Sequence, residues 1–182
     1  MRTNKPFQHA ANIIRNSGII SYPTESVFGL GCDPLSEKAV QRILELKQRP
    51  VEKGLIIVAG ELEQLMPYIE ISAKEKKTIL STKEPTTWLV NKSTLTPNWV
   101  SGSHKKLAVR ISHHPLVISL CAVLNQPIIS TSANPAGKQP ALSSLQSETY
   151  FSNHVDLYLD DPIKISGQPT PIKDIETGQL LR

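Results

Sequence analysis

Short apolar runs alternate with longer stretches of helical periodicity through most of this chain, and that alternation confines it to the α/β class. Strands are predicted at 19–22, 55–59, 86–90, 107–111 and 128–130. Between them, helical patterns cover 6–17, 36–47, 61–66, 72–80, 115–124 and 143–150. The punctuation agrees: Gly18 closes the first helix, Ser36 suits an N-cap, Pro115 opens a helix, and Pro50 disfavours helical geometry at Arg49. Segment 27–31 reads as a second strand or a tight loop, and 92–104 as a polar loop containing Trp99. Further short strands are expected at 155–159, 163–165, 172–174 and 179–181. No internal repeat or long linker divides the chain, so residues 1–182 are expected to form one domain around a mixed, twisted sheet.

A chain of 182 residues buries roughly 70% of its unfolded surface and needs no disulfide staple. Cys32 and Cys121 lack the paired spacing of a zinc or redox site and read as small buried hydrophobes in a reducing compartment. No apolar run reaches membrane-spanning length and no secretory signal opens the chain, so a cytoplasmic location is expected. The net charge of +4 suits a protein that handles phosphates or approaches RNA. An aromatic content of 5% leaves few stacking platforms for single strands.

Five polar features could carry chemistry. Lys47 and Arg49 close a helix, where cations balance the dipole on a solvated surface or clamp polyphosphate oxygens. Ser130, Thr131, Ser132 and Asn134 crowd the end of a buried strand, as a self-satisfied turn or as donors aimed at one ligand. Thr24 and Glu25 follow a strand after Pro23, where α/β proteins place ligand contacts and ordinary turns also occur. Arg110 sits in an apolar strand, either as an edge charge or as a buried carboxylate anchor. Ser166-Gly167 lies in a proline-rich stretch that suits a surface turn or a lid.

Other chemistries lack their signatures. There is no Walker loop and no dinucleotide fingerprint. Ser132 has no nucleophile-elbow context. The adjacent His113 and His114 cannot face one metal as an i, i+4 pair does.

Taken together, the motifs resemble a known family. The run from Tyr22 through Glu25 to Gly31 is similar to a YPTET-x-GLG opening, and Lys47-Gln48-Arg49-Pro50 to a K-x-R element. Ala108-Val109-Arg110 resembles a V-R strand, Ser130 to Asn134 an S-x-N loop, and Ser166-Gly167 through Asp174 a closing SG…D segment. In order and over nearly the whole chain, these resemble the TsaC/YrdC-like threonylcarbamoyl-AMP synthase family in its short, single-domain bacterial form. The resemblance implies a twisted open sheet flanked by helices around a basic concave cavity. It implies that L-threonine and bicarbonate or carbon dioxide give an N-carboxy-threonine, whose carboxylate attacks the α-phosphate of ATP and expels pyrophosphate. It also implies partner proteins that pass the threonylcarbamoyl group to the adenosine beside the anticodon of tRNA.

By that match Lys47 and Arg49 hold the ATP phosphates and carry the catalysis, with Ser132 and Asn134 on the nucleotide side. Thr24, Arg110, Ser130 and Ser166 surround threonine, and Mg2+ arrives with ATP rather than in a protein cage. The chain departs from the family pattern at Thr82 to Thr87, where a W-P-G-P-x-T element is common, at Val58, where long forms carry histidine, and at Thr170-Pro171, where serine-threonine is usual. A competing reading is a binding module for double-stranded RNA or tRNA, motivated by five basic residues against one acid between Lys83 and His114. Carbamoyl transfer of the hydrogenase-maturation type is weaker, because the acylphosphatase-like and zinc-binding regions of those chains have no counterpart here.

Overall fold

A computed structural model describes residues 5–163 and 165–181. Among the described residues, nine strands form one mixed sheet. They are β1 (Ile20–Pro23), β2 (Phe28–Gly31), β3 (Ile56–Ala59), β4 (Ile69–Glu70), β5 (Thr87–Lys92), β6 (Lys106–Ile111), β7 (Ile128–Ser132), β8 (Leu157–Tyr158) and β9 (Ile172–Asp174). The order across the sheet is β4-β5-β6-β3-β7-β2-β1-β8, and β9 pairs in parallel with β5. Seven α-helices among the described residues accompany it: α1 (Lys5–Arg15), α2 (Glu37–Lys47), α3 (Leu62–Leu65), α4 (Ala73–Ser81), α5 (Asn98–Ser101), α6 (Pro115–Leu124) and α7 (Ser144–Phe151).

The two-residue pleat period splits the core into two layers. Ile57, Val109 and Ile129 join one buried cluster with α2 residues such as Val40 and Ile43. Val58 and Ile128 join the other, beneath Ala10 and Ile14 of α1 and Leu120 and Cys121 of α6. Ser36 caps α2 by accepting the Ala39 amide, and Gln48 ends it at a left-handed φ of 50°. Gly31 is required where β2 crosses Tyr22, because an added Cβ would meet Tyr22 Cε1 at 2.7 Å.

Several expectations change. The strand 128–130 extends to Ser132, since Leu30 and Gly29 pair with Thr131 and Ser132 and draw half of the polar loop into the ladder. The loop at 92–104 contains α5, and Trp99 Nε1 of that helix donates to Pro34 O at 3.1 Å. The helix at 61–66 shortens to α3, because Pro67 turns the chain into a 3-10 turn over Met66–Tyr68. β4 went unpredicted, as two residues carry no period. The strand at 155–159 shrinks to β8. Of 163–165, Lys164 lies outside the described residues and Ile163 and Ile165 are irregular. The strand at 179–181 is a single bridge between Leu180 and Lys173.

Candidate active site

The sheet builds the site through its register. Ile56 pairs with Ala108 on one side and Ser130 on the other, while Leu89 pairs with Ala108 and Gly29 with Ser132. Two residues further along β3, Val58 pairs with Arg110 and Ile128. Positions i and i+2 share a face. Helices α1 and α6 cover this face around Val58 and Ile128 but leave the Ile56 and Ser130 end bare. The bare end is the floor of a cleft of about 830 Å³. Among the described residues, six cations line it: Lys47, Arg49, Lys53, Lys105, Lys106 and Arg110. No aspartate or glutamate appears among its described lining residues.

Lys47 is 7% exposed, so the solvated-surface reading fails. Its ammonium donates to the carbonyl of Ser132 and to that of Asn134 at 2.9 Å. Helix α2 thereby grips the strand-end loop, and two motifs some 85 residues apart become one unit. Burial, aided by the nearby Arg49 charge, lowers the Lys47 pKa to about 8. Arg49 Nε and Nη2 donate to Gly54 O at 3.2 and 2.9 Å, which folds the 51–54 turn against the cleft. Asn134 Nδ2 donates to Lys138 O at 2.9 Å, and its Oδ1 is buried with no hydrogen-bond partner.

Arg110 is buried in β6, between β5 and β3, so the edge-charge reading is excluded. Its Nε donates to Thr87 Oγ1 at 3.0 Å. Thr87 is the threonine retained from the altered 82–87 element, and its amide donates to Pro171 O. Val58 packs under α6 rather than lining the cleft.

Thr24 and Ser26 enter the cleft from the turn between β1 and β2. Thr24 Oγ1 donates to Val27 O at 2.7 Å, and Ser26 Oγ shares a hydrogen bond with Thr170 Oγ1 at 2.6 Å. Glu25 points elsewhere: its Oε1 accepts from Ser112 Oγ and from the amides of His113 and His114. Burial alone pushes the Glu25 pKa up, but these donors and Arg110 outweigh it and the net shift is downward.

Segment 165–181 closes one side of the cleft. The Ser166 and Gly167 amides donate to the carbonyls of Glu25 and Ser26, and Pro169, Thr170, Ile172 and Leu181 line the wall. Lys106 binds Asp174 at 2.6 Å and Glu176 at 2.7 Å, and those hydrogen bonds raise its pKa.

Of the eight residues that the family resemblance assigns to ATP or threonine, seven line this one cleft: Lys47, Arg49, Ser132, Asn134, Thr24, Arg110 and Ser130. Ser166 is exposed outside the lining, where its Oγ accepts the Gln168 amide. Sequence reasoning marked Thr87 and Thr170 only as lying in departures from the family pattern and missed Lys53; the basic run at Lys105-Lys106 was visible, but its place at the cleft was not. No group of three or more His, Cys, Asp or Glu residues able to hold a metal occurs among the described residues. Likewise, no described helix is long and apolar enough to cross a membrane.

Comparison with known proteins gives a consistent picture. The Sua5/YciO/YrdC family profile, described as "Telomere recombination", matches residues 12–182. The chain is 40% identical over 181 residues to the threonylcarbamoyl-AMP synthase of Cellvibrio japonicus, covering 98% of this chain and 96% of that one. It is 47% identical over 168 residues to that of Pseudoalteromonas atlantica, covering 90% and 89%. The fold superposes on P. abyssi Sua5 complexed with L-threonine with a TM-score of 0.91 at 29% identity, covering 99% of this chain and 54% of that longer one. E. coli YciO shares the fold with a TM-score of 0.86 at 23% identity, covering 99% and 89%.

Proposed function

This chain belongs to the Sua5/YciO/YrdC family, and on that premise we propose that its cleft makes threonylcarbamoyl-AMP from L-threonine, bicarbonate or carbon dioxide, and ATP. The observation that carries this reading is the Lys47 bridge. It places a buried cation, an arginine and the hydroxyl-and-amide loop on one wall of a cleft whose described lining bears no carboxylate.

The threonine amine adds to carbon dioxide, loses a proton and becomes an N-carboxylate. That carboxylate oxygen bonds to the α-phosphorus of ATP, and the bond from phosphorus to the bridging oxygen breaks, releasing pyrophosphate. No protein nucleophile takes part. The protein positions the reactants and stabilises charge developing on phosphate oxygens.

An ammonium has three N–H donors, and Lys47 directs two to backbone carbonyls, leaving one for a phosphate oxygen. Arg49 adds its fixed charge beside it. Asn134 Oδ1 and the Ser132 hydroxyl face the nucleotide. Arg110, set by Thr87, is the partner for the threonine carboxylate, with Thr24 and Ser130 beside it. Ser166 acts on this pocket through its backbone tie to Glu25. Magnesium accompanying ATP would supply charge compensation on the leaving pyrophosphate, beside Lys47 and Arg49 on the phosphates. Threonylcarbamoyl-AMP then passes to partner proteins that modify tRNA.

Pyrophosphate release from ATP and magnesium tests this reading. Release that requires both L-threonine and bicarbonate is expected. Serine lacks only a methyl group and should lose about 1–3 kcal/mol, whereas valine leaves buried polar groups unpaired and should fare worse. Release independent of threonine would refute the assignment.

A further inference from the structure

The turn at 24–27 is a junction whose three connections point in different directions. Inward, Thr24 and Ser26 line the cleft. Toward segment 165–181, the carbonyls of Glu25 and Ser26 accept the amides of Ser166 and Gly167 at 3.0 and 2.7 Å. Away from the cleft, the Glu25 side chain reaches the loop between β6 and α6. There Oε1 accepts from Ser112 Oγ at 2.6 Å, the His113 amide at 2.6 Å and the His114 amide at 3.0 Å. These donors sit at the start of α6, where unsatisfied amides and the helix dipole favour an anion. Glu25 is absent from the cleft lining. Glu25 Oε2 is buried and has no hydrogen-bond partner.

We infer that Glu25 is a positioning residue for the threonine half of the cleft. It pins the turn that carries Thr24 to the loop that ends the Arg110 strand, and so fixes the spacing between two threonine contacts. The two elements otherwise belong to strands separated by β2, β7 and β3 in the sheet. The nucleotide half hangs on a different anchor, the Lys47 bridge, which shares no hydrogen bond with Glu25. Loosening Glu25 therefore weakens threonine binding and leaves ATP binding nearly intact.

The load falls on a single oxygen, so Glu25→Gln can carry it with its amide carbonyl, whereas Glu25→Ala cannot. This inference rests on the threonylcarbamoyl-AMP reading, and wild-type threonine-dependent pyrophosphate release is established first. Failure at that stage refutes the function itself. With wild type active, KM for threonine and for ATP is measured for Glu25→Ala, Glu25→Gln and Ser112→Ala, each checked for folding by circular dichroism. The expected result for Glu25→Ala is a threonine KM raised more than about tenfold with the ATP KM within about twofold. Glu25→Gln should stay within about threefold of wild type for both, and Ser112→Ala, missing one of three donors, should raise threonine KM by about two- to fivefold. If Glu25→Ala does not fold, the other two variants decide. An unchanged threonine KM in folded Glu25→Ala or in Ser112→Ala, or an equal rise for both substrates, would overturn the inference.

Discussion

Lys47 and Lys106 line the same cleft and are held by opposite kinds of partner. Lys47 is almost fully buried against two backbone carbonyls, with a guanidinium rather than a carboxylate as its neighbouring charge. The Lys106 side chain is 24% exposed and is paired with Asp174 and Glu176. Carbonyl dipoles hold an ammonium in place without neutralising it, whereas two carboxylates compensate it fully. The local environment shifts the first pKa down and the second up. A cleft lined by cations can thus hold one of them, Lys47, on backbone carbonyls and another, Lys106, on carboxylates. We propose the Lys47 end, where α2 meets the loop after β7, as the phosphate grip. Lys106 instead fastens segment 165–181 to the wall.

The contrast breaks most directly at Lys47. Lys47→Ala is expected to lose about 2–4 kcal/mol of transition-state stabilisation, read as kcat/KM for ATP, as for removal of one preorganised electrostatic donor. A loss confined to stability, with kcat/KM preserved, would return Lys47 to a structural role. Next in size is the support behind Arg49. Gly102 has a φ of +61°, and an added Cβ would lie 2.7 Å from Val51 O, so Gly102→Ala should distort the 51–54 turn that Arg49 binds. A loss of about 1–3 kcal/mol in urea unfolding is expected, with a weaker grip on ATP.

The pH dependence sharpens the comparison. Lys47 carries its charge below about 8 and loses it above. Phosphate capture by the free enzyme should therefore decline above that pH, by up to about tenfold per unit in kcat/KM for ATP. Stability runs the other way. Between about 8 and the ordinary 10.5, the unfolded chain keeps a proton on Lys47 that the native protein has released, so this residue's contribution to stability rises with pH. Lys47→Met should abolish both trends at that site. A wild-type profile flat through pH 9 would contradict them. The smallest effect is expected at Lys106: Asp174→Ala should cost at most about 1 kcal/mol in unfolding, because the pair is partly exposed and screened by salt.

Much of this molecule was legible in its residues because the signals are local. The Ser36 cap of α2, the apolar run of β3 and Pro115 at the start of α6 each act within a few residues. The types of side chain at the site were equally plain at Lys47, Arg49 and Ser130 to Asn134. What sequence did not show is who holds whom. Lys47 finds backbone carbonyls about 85 residues away, and Glu25 finds donors about 87 residues away, through contacts that leave no periodic trace. Segment 165–181 was hardest to read, since it is held by one short parallel strand, a bridge and side-chain pairs rather than by an amphipathic element.

The most direct test is kcat/KM for ATP in threonine- and bicarbonate-dependent pyrophosphate release, measured for wild type, Lys47→Ala and Lys106→Ala in one series at neutral pH. The expected result is a fall of about thirtyfold or more for Lys47→Ala and of less than about fivefold for Lys106→Ala. Equal losses, or a larger loss at Lys106, would contradict the assignment of the phosphate grip to the Lys47 end of the cleft.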